Sequence, residues 1–241
     1  MFLNGEYWGF YYLTEKYDEY YLEQHYGVDH ENVVIVKKTS LEVGNEEDII
    51  LYDQMSEFIE ESDMTIEENY LRACELLDID SFIDYFAAEI YMARQIDWPN
   101  SNYALWRVRE EGTGEYEDGK WRWLLFDLNT AAMQKKSVDH DTIESARQRN
   151  GLFQSLWKNA DFRERFSKRI LEMSETIFKE EVAIEKVDEC VALMYEPMQK
   201  HHQRFFGKAF EDEYPTEDSI KTFIKERAKY IPQILETNTL D

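Results

Sequence analysis

Apolar residues change period twice along this chain. Near the start, Phe2 and Leu3 run into Asn4-Gly5 and then into Glu6-Tyr7-Trp8-Gly9-Phe10-Tyr11-Tyr12-Leu13. Asn-Gly between two β-prone runs predicts a tight hairpin, because both turn positions need positive φ. The first arm is only three residues long, and so short an arm is marginal unless other strands pair beside it. Either this sheet is small, or the chain begins in the middle of a domain. A short helix is expected near residues 18–25. The β-branched run Asn32-Val33-Val34-Ile35-Val36-Lys37 reads as a buried strand.

The pattern then turns helical. Within residues 46–61, Leu51, Met55, Phe58 and Ile59 recur at helical spacing. Asp80 is expected to cap a further helix with Phe82, Phe86 and Ile90 on one stripe, and Pro99 stops what precedes it. Residues 102–108 and 121–128 read as a strand pair joined by the turn-rich Glu110-Glu111-Gly112-Thr113-Gly114-Glu115. From Asn150 onward the chain is helical. One stripe holds Phe162, Phe166, Ile170, Met173 and Ile177; a second holds Ile184, Val187, Val191, Met194 and Met198; a third holds Ile220, Phe223, Ile224 and Ile231. All three stripes are expected in the core. Strands first, a mixed centre and a helical end make an α+β layout.

Composition changes this picture in one respect. The chain has 241 residues and a formal net charge of −24. That surface repels phosphate backbones and anionic lipids, which disfavours nucleic-acid and membrane-surface partners and favours basic partners or divalent cations. Cys74 and Cys190 lie in expected helices without metal or redox spacing, and read as small buried hydrophobes. No apolar run approaches the ~20 residues of a membrane span, and no signal peptide precedes the first folded-looking segment. The expected location on these features is the cytoplasm.

Candidate chemistry sits in Asp97-Trp98-Pro99-Asn100-Ser101-Asn102 and in Leu124-Leu125-Phe126-Asp127-Leu128-Asn129. Asp97 falls where a helix gives way to a Pro-containing turn, Asn102 just inside the next strand, and Asp127 at the end of an apolar strand. One carboxylate plus an amide oxygen and waters suits Mg²⁺ carrying a nucleotide's phosphates. Phosphoryl transfer needs an Asp to accept the substrate hydroxyl's proton, an Asn and a second Asp on the metal, and a cation on the phosphates. Asn102 follows Asp97 by five residues, the spacing of a protein-kinase catalytic loop. The same residues also read as a helix stop with an Asx turn. His201 and His202, adjacent on a helix, point about 100° apart and do not share an ion. His140, between Asp139 and Asp141, is expected in a solvated loop.

Several blocks together resemble the CotH family of atypical, protein-kinase-like spore-coat proteins. Phe2 to Tyr11 with Thr14-Glu15-Lys16 is similar to its opening signature. Asn32 to Lys37 is similar to its strand ending in Lys, and the Asp97–Asn102 and Trp121–Leu128 blocks to its active-site segments. Phe162 to Phe166 and His201 to Phe205 are similar to its helical C-terminal part. The resemblance implies one kinase-like domain over residues 1–241. Residues 1–45 would be the remnant of a small N-terminal sheet lobe, with further sequence expected before it, and 46–241 a mainly helical C-terminal lobe.

The resemblance also implies Asp97 as catalytic base, Asn102 and Asp127 as ligands of Mg²⁺ or Mn²⁺, ATP as donor, Ser or Thr of basic, Ser-rich coat proteins as acceptor, and the spore coat as the alternative location to the cytoplasm. Three further residues have two readings each. Lys37 faces phosphate or ends a strand in solvent, Glu15 pairs with a Lys or lies on the surface, and Trp121 walls the adenine or packs in the core. Two departures point toward the alternative of a catalytically weak or inactive scaffold in coat assembly. Ser101 stands where the family carries Asn, and Asn129 where it carries Asp.

Overall fold

The computed structural model describes residues 1–11, 13–128, 138–208 and 217–239. Its order is β1 (Phe2–Leu3), β2 (Glu6–Tyr7), α1 (Glu19–Tyr26), β3 (Val33–Lys37), β4 (Ser40–Val43), α2 (Ile49–Glu61), α3 (Glu67–Leu76), α4 (Ile79–Tyr91), β5 (Ala104–Val108), β6 (Arg122–Leu124), α5 (Thr142–Arg149), α6 (Gly151–Trp157), α7 (Ala160–Glu175), α8 (Glu180–Phe206) and α9 (Glu217–Thr239). The fold is α+β and 59% helical, so helices supply most of the core.

The first hairpin forms as its turn chemistry demands, with Asn4 at φ 52° and Gly5 at φ 83°. Among the described residues β1 and β2 pair only with each other, and the loop after them is held by α8. Tyr7 donates its hydroxyl to the Pro197 carbonyl at 3.0 Å, and the Phe10 amide donates to His201 Nδ1 at 3.1 Å. Gly9, at φ 141°, lets the backbone approach, since a Cβ there would stand 3.0 Å from the Phe205 ring and 3.2 Å from His201 Nδ1. Gly9→Ala is therefore expected to release this loop from α8 while the rest of the protein keeps its melting temperature. Amide exchange at Phe10 measures this, and unchanged protection there would contradict it.

The second sheet runs β4-β3-β5-β6, all antiparallel. Both its faces are covered, which is why β3 reads as an unbroken apolar run rather than an alternation. Val33 and Ile35 pack with Leu22, Val28 and Trp106 beneath α1. Val34 and Val36 face the helical body, where Phe82, Phe86, Phe153, Phe162 and Phe166 of α4, α6 and α7 stack. Residues on both sides of position 45 build this one sheet, so the two expected portions share a core.

Several expectations shift. The cap of α4 is Asp78, whose side chain accepts from the Ser81 amide, not Asp80. Strand β4 and helix α5 form where no element was expected, and α3 is the helix expected around Cys74. The α8 stripe is only half covered and Ile177, beyond the end of α7, is exposed, whereas the α7 stripe through Met173 is buried. Cys190 on α8 is exposed and Cys74 half-buried. His140 is half-buried against Ser145 rather than solvated. Among the described residues, no helix is long and apolar enough to cross a membrane.

Candidate functional site

Register places the site. β3 and β5 pair Lys37 with Ala104, and β5 and β6 pair Ala104 with Leu124. The C-terminal end of β3, the N-terminal end of β5 and the C-terminal end of β6 therefore share one margin of the sheet. Lys37 ends the first of these strands, Asn102 precedes the second by two residues, and Asp127 follows the third by three. The Asn102 amide donates to the Asp127 carboxylate, and the Lys37 ammonium lies 5.5 Å from the centroid of the Phe126 ring. Asn102 is thus in the turn before its strand, and Asp127 lies past the end of its own.

Asp97 is presented from the helical side. It is exposed, while its neighbours Trp98 and Pro99 are buried, so a pinned loop carries a free carboxylate. The Trp98 indole donates to the Tyr85 hydroxyl of α4 at 3.2 Å, the Trp98–Pro99 bond is cis, and the Ser101 hydroxyl donates to the Asp97 carbonyl at 2.9 Å. Asp97, Asn102 and Asp127 all have left-handed backbone, at φ 61°, 58° and 56°. Asp and Asn tolerate that region better than other side chains with a Cβ. Such residues cluster where the surroundings over-determine the backbone, as at ligand clamps.

The other expected site residues divide. Glu15 is exposed and pairs with His25 at 3.0 Å, not with a lysine. Trp121 is fully buried, donates its indole N–H toward the Leu51 carbonyl at 3.4 Å and packs on Tyr52. It has no face to offer adenine, and the core reading stands. Asn129 lies outside the described residues. The His201 and His202 rings diverge with centroids 6.2 Å apart, and His201 is engaged by Phe10.

The sequence reading missed three buried charges beneath the site. Glu89 and Arg94 are both fully buried and pair at 2.7 Å. Burial pushes the Glu89 carboxyl up to about 7 against the pull of Arg94, and the charge of Asp127 adds to the rise. Tyr85 is likewise raised by burial and keeps its proton. Arg227, buried on α9, donates to the Ile90, Tyr91, Val138 and His140 carbonyls at 2.8–2.9 Å. Burial lowers it only to about 10, so it stays charged at neutral pH. A signal existed: Glu89 interrupts the apolar run Phe86-Ala87-Ala88-Glu89-Ile90-Tyr91, and Arg227 lies between Ile224 and Ile231 on their buried stripe.

Among known proteins, the family model described as CotH kinase protein matches residues 1–231. No curated protein matches the chain, and no solved structure matches it. With that model spanning nearly the whole length, from the first hairpin into α9, the chain belongs to the CotH kinase family.

Proposed function

We propose that this protein is an ATP-dependent protein kinase with a kinase-like fold, transferring the γ-phosphoryl group to a serine, less often a threonine, of a basic protein. The contact between Asn102 and Asp127 at the sheet margin that also carries Lys37 supports this reading best. An amide and a carboxylate side by side are a hard-oxygen set, which fits Mg²⁺ or Mn²⁺ rather than a softer metal. When bound, such an ion would neutralise charge on the transferring phosphates.

The protein's own residues have separate tasks. Asn102 and Asp127 would hold the metal, and Lys37 would lie along the nucleotide's phosphates. Asp97 would accept the proton of the acceptor hydroxyl as its oxygen attacks the γ-phosphorus and the bond to the β-phosphate oxygen breaks, leaving ADP. The net charge of −24 favours a basic, Ser-rich acceptor such as a spore-coat protein.

The test is incubation with labelled ATP and Mg²⁺ or Mn²⁺, alone and with a basic Ser-rich peptide, beside an Asp97→Asn control. Label on the peptide that disappears in the control is the expected result. No transfer, together with no ATP-dependent rise in melting temperature, would leave a non-catalytic scaffold as the function.

A further inference from the structure

The two loops of the site come from different parts of the chain, and a buried polar path on α4 runs between them. It starts at Trp98, next to Asp97, whose indole N–H donates to the Tyr85 hydroxyl at 3.2 Å. Tyr85 and Glu89 are one helical turn apart on α4, which puts the hydroxyl and the Glu89 carboxylate on the same face of the helix. Glu89 Oε1 accepts from Arg94 Nη1 at 2.7 Å, and the same nitrogen stands 3.5 Å from the Phe126 carbonyl, one residue before Asp127. The Arg94 amide also closes back on the Glu89 carbonyl at 3.2 Å. Glu89 and Arg94 are wholly inaccessible to solvent.

This arrangement is costly as a purely structural device. Among the described residues, Glu89 Oε2, Arg94 Nε and Arg94 Nη2 are buried without a hydrogen-bond partner. Each such atom carries a desolvation penalty, and an apolar pair of similar volume would avoid it. What the ionic pair supplies is direction: it ties the Phe126 carbonyl to the same helix that anchors Trp98.

We infer that Glu89 and Arg94 are positioning residues that fix the Asp127 loop relative to the Asp97 loop, so that the metal ligands and the base keep one spacing. The inference rests on the kinase reading above. Neither side chain reaches substrate; both act through Phe126, Asp127 and Trp98.

The double exchange Glu89→Leu/Arg94→Met separates positioning from stability, because it removes both charges together and strands neither. The full chain is titrated with Mn²⁺ at saturating ATP, and bound ion is followed by electron paramagnetic resonance beside a thermal melt. The doubly exchanged protein is expected to melt within a few degrees of the parent yet to need about 10- to 100-fold more Mn²⁺ for half-saturation, the usual effect of losing a residue that orients a metal ligand. Half-saturation at the parent's Mn²⁺ concentration in a folded variant would overturn the inference. Should the double variant not fold, Arg94→Lys carries the test. It keeps the charge but loses the planar fork, and an Mn²⁺ requirement equal to the parent's would again overturn the proposal. A parent protein that binds no Mn²⁺ with ATP defeats the kinase reading itself, an outcome seen before any variant is measured.

Discussion

Asp97→Asn is expected to lower the turnover of phosphoryl transfer by about 10²- to 10⁴-fold, the usual contribution of a positioned general base, while ATP binding stays close to that of the parent. Asp127→Asn is expected to differ in kind, raising the metal concentration for half-maximal activity by at least about 10-fold before turnover is considered. The choice of asparagine matters at both positions. Each residue has a left-handed backbone, at φ 61° and 56°, and alanine there would add strain of roughly 1–2 kcal/mol to the loss of the carboxylate. Asparagine tolerates that backbone, so the exchange removes charge and little else. Steady-state kinetics with varied ATP and varied Mn²⁺ distinguish the two. Equal changes in turnover and metal requirement for both variants would mean that the residues do not divide the work as proposed.

Much of this site was legible as residue types and little of it as geometry. Asp97, Asn102 and Asp127 stand out because polar residues interrupt strongly apolar surroundings and because phosphoryl transfer calls for those donors. Their backbone was not legible. A strand was expected to contain Asn102 and to end at Asp127, yet β5 begins at Ala104 and β6 ends at Leu124. Left-handed residues cannot continue a ladder, and side-chain patterns do not report φ.

Trp121 shows the converse. A tryptophan beside a functional strand suits a nucleotide wall or a core equally well by composition. Only the docking of the α3–α4 junction decides it: Leu77 bridges to Trp121, and the Asp78 amide donates to the Trp121 carbonyl at 2.9 Å.

The α8 stripe has the right period but only partial cover, because periodicity shows which face is apolar and not how much of it a neighbour reaches. Glu89, Arg94 and Arg227 were missed for a third reason. Charged residues in apolar stripes usually snorkel to the surface, and these remain inside because Glu89 and Arg94 pair with each other and Arg227 meets carbonyls far away in sequence.

Arg227 carries the largest expected effect on stability. Its guanidinium is the shared donor for four carbonyls, two of them, Ile90 and Tyr91, at the C-terminal end of α4, where helix carbonyls run short of intrahelical donors. Arg227→Met fits the same apolar stripe but supplies no donor: the Ile90 and His140 carbonyls keep the Ala93 and Thr142 amides at 3.1 Å, whereas those of Tyr91 and Val138 lose the guanidinium, at about 1–3 kcal/mol for each carbonyl left unpaired. These costs do not add fully, since the chain relaxes and water enters, so a total of about 3–5 kcal/mol is expected, comparable to breaking a buried ionic contact. For a chain of this size that lowers the melting temperature on the order of 10 °C. Arg227→Lys should recover only part of the loss, because one ammonium cannot reach carbonyls on both α4 and residues 138–140 in the plane that the guanidinium spans. Urea unfolding of the parent and both variants gives the comparison. A methionine variant within about 1 kcal/mol of the parent would show that these carbonyls find other partners and that α9 does not brace the helix leading to Asp97.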